Sequence, residues 1–168
     1  MTASAKTSKT HPLRIASVGV PSASGKIGAT FAPGKWDSAA ATGPWRRDLG
    51  LDLGALAGWG ARLVLMLLES DEMARLGIPN LGDEVRRRNR PWLHMPIRDA
   101  DTPSPGFEAR WPAERARLRS LLTAGNNVLI HCRGGLGRAG MVAARLQVEM
   151  DTDLSTKLRT LSIVIAAK

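Results

Sequence analysis

The chain has 168 residues, of which 43% are hydrophobic and 23% are charged, and it carries a net charge of +9. This length suits one domain with a single core, and no apolar run reaches the roughly eighteen residues of a membrane span. The one cysteine excludes an internal disulfide. The positive charge attracts anions, so phosphoproteins, nucleic acid and acidic lipid surfaces are the partner classes to weigh.

Composition also bears on location and on bound groups. A chain without disulfides does not require an oxidising compartment, and no apolar segment follows Lys6 and Lys9 as in a signal peptide. We therefore expect a cytoplasmic protein. Three scattered histidines and a single cysteine do not make a zinc cluster, so we expect no metal and no other cofactor. Aromatic residues interleaved with basic ones are sparse, which argues against a single-strand nucleic-acid surface.

The N-terminal part of the chain has little periodicity. Residues 1–12 are rich in Ser, Thr, Ala and Lys and predict a disordered tail. The rest, residues 13–168, is expected to form a single domain. It opens with a strand at residues 13–20, and a Gly-, Pro- and Ser-rich loop over residues 21–43 follows, with a short strand at residues 27–31.

The middle of the chain alternates strands with helices. A continuous apolar run over residues 62–68 is typical of a buried parallel strand, and residues 92–97 predict another. Helices are predicted over residues 53–57, 71–76, 82–89 and 107–124. This alternation predicts an α/β fold with a mainly parallel central sheet and helices on both faces.

The stretch 127–150 joins a strand, a glycine-rich turn and a helix. The β-formers 128–130 lead to His131 and Cys132, and helical spacing begins at Arg138. The intervening glycines let successive N–H groups turn inward as an anion nest, and the helix N-terminus adds a partial positive charge. Arg138 offers a planar fork for two phosphate oxygens. A thiol at the base of such a cradle would be ionised near neutral pH and able to attack phosphorus.

Three other interpretations of this stretch are weaker. A lone cysteine is usually a small buried hydrophobe, but here five neighbours agree with a phosphate cradle. Gly135, Gly137 and Gly140 spell GxGxxG, yet the second strand of a dinucleotide fold is missing after them. A dithiol redox mechanism would need a resolving cysteine, which the chain lacks.

Two sequence blocks carry a family resemblance. HCRGGLGR has the Cys-x5-Arg form of the protein tyrosine and dual-specificity phosphatases. Together, HCRGGLGRAG and the upstream WLHMPIRDADTP resemble the kinase-associated phosphatase branch and its bacterial relatives, and the resemblance covers roughly residues 25–153. It implies a phosphatase-like three-layer sandwich.

The resemblance also implies roles for single residues. Cys132 would be the nucleophile that forms a phosphocysteine, and Arg138 would hold the phosphoryl oxygens. Asp99 would be the general acid, with Asp101 as the alternative on the same loop. Both Asp99 and Cys132 follow predicted strands, so they are expected to share one site. His131 would orient the loop and, because a histidine titrates near neutrality, could also tune the thiolate. The substrate-binding amides would come from Arg133, Gly134, Gly135, Leu136 and Gly137.

The sequence departs from this family in two places. Ala139 stands where many relatives have Ser or Thr, whose hydroxyl stabilises the departing thiolate, so slower hydrolysis of the phosphocysteine is expected. The relatives continue after the active-site helix with further helical structure and an arginine-containing segment. From Met150 onward we find only a short helix and an apolar end, and we expect this C-terminal part to be truncated or diverged.

These features leave three functions to compare. The leading one is a phosphatase that takes a phosphorylated protein as substrate, with phosphotyrosine first and phosphoserine or phosphothreonine in addition. The charge of +9 keeps RNA 5′ ends and inositol phosphates as alternative substrates. The residue Ala139 and the unusual C-terminus keep a weakly active phosphate-binding module as the third. Oligomeric state is not encoded in any pattern of the chain.

Overall fold

The computed structural model describes the backbone of residues 4–166 and the side chains of residues 4–152. Its strands are β1 (Ala16–Gly19), β2 (Lys26–Thr30), β3 (Trp36–Asp37), β4 (Trp45–Arg46), β5 (Ala61–Met66), β6 (Trp92–His94) and β7 (Asn127–His131). Its helices are α1 (Leu49–Gly58), α2 (Ser70–Arg75), α3 (Leu81–Arg87), α4 (Pro105–Thr123) and α5 (Gly137–Ala166).

Five strands form the central sheet, in the order β1-β2-β7-β5-β6. The pairs β2–β7, β7–β5 and β5–β6 are parallel, and only the edge pair β1–β2 is antiparallel. The predicted mainly parallel sheet is therefore confirmed. Strands β3 and β4 pair with each other in a separate two-stranded hairpin, which the sequence did not predict.

Helices cover both faces of the sheet, which gives three layers. On one face α4 and α5 pack against alternate residues of β5 and β7, including Leu63 and Ile130. On the other face α1, α2 and α3 pack against the residues in between, such as Val64 and Leu129. Because β5 and β7 are buried on both sides, their sequences are continuous apolar runs rather than alternating ones. Full burial of one such side chain stabilises the fold by about 1.5–3 kcal/mol.

Residues 1–12 were expected to form a disordered tail, but the described residues of this segment make specific contacts. Lys6 makes a bridge with Trp45 of β4, and its backbone exchanges hydrogen bonds with Pro44 and Arg46. Ser8 is buried, and its Oγ accepts a hydrogen bond of 2.9 Å from the Asp48 amide. The described part of the segment is therefore held against the β3–β4 hairpin.

The C-terminal part also differs from the expectation. Helix α5 continues to Ala166, where the sequence pattern predicted a short helix and an apolar end. The side chains after residue 152 lie outside the described residues, so the expected divergence of this part stays a prediction. Among the helices of the described part, none is both long enough and apolar enough for a bilayer crossing.

Candidate active site

The predicted site residues meet at the carboxyl ends of the parallel strands. Cys132 directly follows β7, and the chain after β6 stays beside the extension of β5, because the Ile97 amide donates to the Leu67 carbonyl. Asp99 follows two residues later. A cleft of about 560 Å³ opens there. Its wall includes Asp99, Cys132, Arg133, Gly134, Leu136, Gly137 and Arg138. Parallel α/β sheets bind ligands at this edge.

The turn after Cys132 wraps around its sulfur. Cys132 is buried, and the Gly135 amide donates a hydrogen bond of 3.2 Å to Sγ. Gly135 has φ +80°, and a Cβ on it would lie 2.5 Å from the backbone carbon of Thr30. Only glycine fits this position without displacing strand β2. The backbone amide that faces the sulfur therefore depends on a glycine at residue 135.

Arg138 is the most strongly held side chain of the site. Its Nη1 and Nη2 donate to the two carboxylate oxygens of Glu72 at 2.7 and 2.8 Å, and Nη1 also donates to the Ile97 carbonyl at 2.9 Å. Burial alone would lower the pKa of Arg138, but the bonds to Glu72 and the charges of Glu72, Asp99 and Cys132 raise it. The guanidinium is thus charged and fixed in orientation before any ligand enters.

Glu72 was not among the predicted site residues. It lies on α2, where its Oε2 also accepts from the Glu69 amide at 3.0 Å in a capping box. Burial raises the pKa of Glu72, but the bonds from Arg138 and Glu69 lower it overall. In the sequence it is one of three consecutive polar residues on a short helix. The signal for its role is its partner, 66 positions further along the chain.

The two candidate acids have different environments. Asp99 lines the cleft with a 61% exposed side chain, and its Oδ1 lies 3.2 Å from Nη2 of Arg138. Ala100, the next residue, has φ +55°, and its amide donates to Asp99 Oδ1 at 3.1 Å. Asp101 is absent from the cleft wall and accepts from the Thr102 amide at 2.7 Å. Of the two, Asp99 is beside the cleft, whereas Asp101 shapes the turn.

Arg133 lines the cleft, and its side chain pairs with Asp37 of β3, which lines the same cleft. Its Nε and Nη2 donate to Asp37 at 2.9 Å each. These bonds raise the pKa of Arg133 and lower the pKa of Asp37. The Arg133 carbonyl accepts from Nζ of Lys35 at 3.1 Å. Asp37 and Lys35 are further cleft residues that the sequence analysis missed, and no local pattern distinguishes either.

His131 and Ala139 flank the cradle from inside the core. His131 is fully buried, and burial lowers its pKa to about 4, partly offset by the Cys132 backbone. The ring is therefore neutral near neutral pH, which corrects the expectation that it titrates there to tune the thiolate. The orienting role of His131 stays a prediction. Ala139 lies in the first turn of α5 and is 0% exposed, so its methyl group takes part in core packing.

Comparisons with known proteins identify the phosphatase family that the two sequence blocks resemble. The family model described as cyclin-dependent kinase inhibitor 3 matches residues 38–159. Cyclin-dependent kinase inhibitor 3 of Rattus norvegicus is 32% identical over 110 residues, which are 66% of this chain and 50% of the relative. The Homo sapiens protein of that name is 30% identical over 110 residues, with the same coverage. The matched part is about half the length of these curated relatives.

Solved structures give the same fold. The crystal structure of kinase associated phosphatase, with its catalytic-site cysteine replaced by serine, superposes with a TM-score of 0.71 at 26% identity. The match covers 83% of this chain and 75% of that one. The active form of Tk-PTP has a TM-score of 0.50 at 26% identity, over 77% of this chain and 82% of that one. The phosphatase-like sandwich expected from the sequence is confirmed.

Proposed function

The chain belongs to the cyclin-dependent kinase inhibitor 3 family, and from this premise we propose that it is a cysteine-dependent protein phosphatase. Its substrate is a phosphorylated protein, with phosphotyrosine as the first target and phosphoserine and phosphothreonine as further ones. The observation that carries the proposal is one arrangement: the Cys132 sulfur lies under the Gly135 amide in a cleft that Arg138 also lines. We also propose the cytoplasm as its location, where a single thiol stays reduced.

The first step transfers the phosphoryl group to sulfur. The Cys132 thiolate attacks phosphorus, an S–P bond forms, and the P–O bond to the substrate side chain breaks. Asp99 donates its proton to the leaving oxygen, which departs as an alcohol or phenol rather than as an anion. Arg138 and the turn amides hold the other phosphoryl oxygens, where the charge of the transition state lies.

The second step returns the enzyme to its starting state. Asp99, now ionised, takes a proton from water while the water oxygen attacks phosphorus. The S–P bond breaks, inorganic phosphate leaves, and the Cys132 sulfur is released as a thiolate. Many relatives have a Ser or Thr at the position where this chain has the buried methyl group of Ala139. We therefore propose that hydrolysis of the phosphocysteine is the slower step.

Hydrolysis of p-nitrophenyl phosphate tests the proposal. The wild-type protein is expected to release phosphate, while Cys132→Ser and Arg138→Ala are expected to be inactive. Arg62→Ala serves as the matched control, because Arg62 is exposed on β5 and is not part of the cleft wall. Equal activity in wild type and Cys132→Ser would remove the covalent mechanism.

A second candidate is a phosphate-binding module with little turnover. The observation that favours it is Ala139 at a position where a hydroxyl assists the second step. In that case the wild-type protein would bind a phosphotyrosine peptide and release no phosphate, so the same assay separates the two. The substrates suggested by the net charge, RNA 5′ ends and inositol phosphates, are compared in that assay by phosphate release.

A further inference from the structure

Lys35 is a buried cation in the wall of the cleft. It lies in the segment between β2 and β3, and only 4% of its surface is exposed. The same cleft contains Cys132 and Arg138. Lysine is almost never this buried unless its charge is paired. We therefore ask which negatively charged group could compensate the charge of Lys35 in the cleft.

The contacts of Lys35 leave most of its hydrogen-bonding capacity unused. An ammonium carries three donors. Within the described part of the chain, its one hydrogen-bond acceptor is the Arg133 carbonyl, at 3.1 Å from Nζ. The same Nζ lies 5.1 Å from the ring centre of Phe31 and 5.2 Å from that of Trp45. The two rings hold the cation at the cleft and cannot serve as full counter-ions.

The nearby charges are committed to other partners. Asp37 is paired with Arg133 through two bonds, and Arg47 is paired with the buried Asp52. Burial lowers the pKa of Lys35; Asp37 and Cys132 raise it in part, and Arg133 and Arg47 lower it further. The ammonium is thus under-compensated in the ligand-free cleft, and a bound dianion would stabilise it.

We propose that Lys35 is a second cationic ligand of the bound anion, donating from Nζ to an oxygen that Arg138 does not hold. The inference rests on the proposed function, since the natural anion is then the phosphoryl group of the substrate. Lys35 would contact that group in the Michaelis complex, which makes it a binding residue of the reaction.

Sulfate binding to the Cys132→Ser protein tests this inference without any turnover. Sulfate stays a dianion over the whole working range of pH. The chain has no tyrosine, so without the thiol only amino groups titrate on the alkaline side. We expect Lys35→Met in this background to weaken sulfate binding by at least ~10-fold, as expected for one charge-assisted hydrogen bond. The control is Lys26→Met, the same change at an exposed lysine that begins β2.

The pH dependence distinguishes a ligand from a structural support. In the protein that keeps Lys35, sulfate affinity is expected to fall as pH rises through the lowered pKa of Lys35, below its ordinary value of 10.5. This fall needs no substitution, so it can be read even if Lys35→Met does not fold. In Lys35→Met the same fall is expected to vanish.

Three outcomes would overturn the proposal. They are unchanged sulfate affinity in Lys35→Met, an equal loss in Lys26→Met, and no sulfate binding to the Cys132→Ser protein. None of these depends on catalysis. A wild-type protein that releases no phosphate, together with the expected sulfate results, would refute the proposed phosphatase and leave the anion site standing.

Discussion

Glu72 holds the guanidinium of Arg138 by both of its oxygens, and both side chains are about 95% buried. The pair joins α2 to the start of α5, elements that lie far apart in the chain. Removing one partner of a buried pair leaves an uncompensated charge, which typically costs about 3–5 kcal/mol. Glu72 therefore positions Arg138, the residue proposed to bind the phosphoryl group.

Glu72→Gln should impair catalysis through the orientation of Arg138. The amide keeps one acceptor oxygen but loses the charge and the second acceptor. We expect kcat/KM for p-nitrophenyl phosphate to fall ~10–100-fold, because misplacing a group of the site by about 1 Å has an effect of that order. The control is Asp71→Asn on the same helix, whose pair with Arg75 is exposed and therefore contributes little. Similar losses in the two variants would argue against a specific role for Glu72.

The same pair makes stability depend on pH in a defined direction. The pKa of Glu72 is lowered in the folded protein from its ordinary value of 4.5. Its contribution is fully present above the unfolded-state pKa and is lost as pH falls through the folded-state pKa. Urea unfolding of wild type and Glu72→Gln should therefore show a difference that is constant above about pH 5 and shrinks below pH 4.5. If the difference in unfolding free energy between wild type and Glu72→Gln stayed constant down to strongly acidic pH, this prediction would be wrong.

Asp99→Ala should slow the first step and leave binding of oxyanions intact. A general acid contributes about 10²–10⁴-fold, so kcat should fall within that range, and further for alkyl phosphates than for p-nitrophenyl phosphate. The inhibition constant of sulfate should be unchanged or improved, since the Asp99 carboxyl lies 3.2 Å from Nη2 of Arg138 in the ligand-free cleft and its removal frees that guanidinium. Asp101→Ala is the matched control. If it lost more activity than Asp99→Ala, the assignment of the acid would be reversed.

Gly135→Ala should damage both the fold and the site. The added methyl group would meet the Thr30 backbone at 2.5 Å, and φ is +80°, so we expect a loss of about 1–3 kcal/mol in unfolding free energy and little remaining activity. Gly134→Ala is the control, because a Cβ there meets nothing within 4 Å. Urea unfolding with a phosphatase assay on both variants checks this. If Gly135→Ala and Gly134→Ala had equal unfolding free energies, the requirement for glycine at residue 135 would be refuted.

Ala139→Ser should shorten the lifetime of the phosphocysteine. Wild type is expected to accumulate the intermediate, detectable as a phosphate mass adduct after acid quenching, and the serine variant to accumulate less. Burial of the new hydroxyl at a site that is 0% exposed costs about 1–3 kcal/mol unless it finds a partner, so stability is measured alongside. Absence of the adduct in rapidly quenched wild type would count against slow hydrolysis.

Local patterns predicted the parts of the molecule that depend on neighbours in sequence. The apolar runs of β5 and β7, and the glycine turn between Cys132 and Arg138, are such parts. Glu72, Lys35 and Asp37 escaped prediction because their partners lie 66, 98 and 96 residues away. A lone acidic or basic residue in a polar segment reads as solvent-exposed until the fold supplies its partner.

The contacts of the N-terminal segment were not predicted for a related reason. Strands β3 and β4 have two residues each, too short to show a period of two. The composition of residues 1–12, rich in Ser, Thr, Ala and Lys, predicts a disordered tail, and no local pattern indicates the hairpin beside their described part. In the structure, Lys6 pairs with Trp45 of that hairpin, and Ser8 accepts a hydrogen bond from the Asp48 amide.

Trp45 connects these first residues to the chemistry. On one side it bridges to Lys6, whose ammonium lies 5.1 Å from its ring, and on the other it forms part of the cleft wall. Removing residues 1–12 would take away one support of that indole, the contact with Lys6. A chain that begins at residue 13 would contain every strand of the central sheet, yet it would lack one support of the cleft wall.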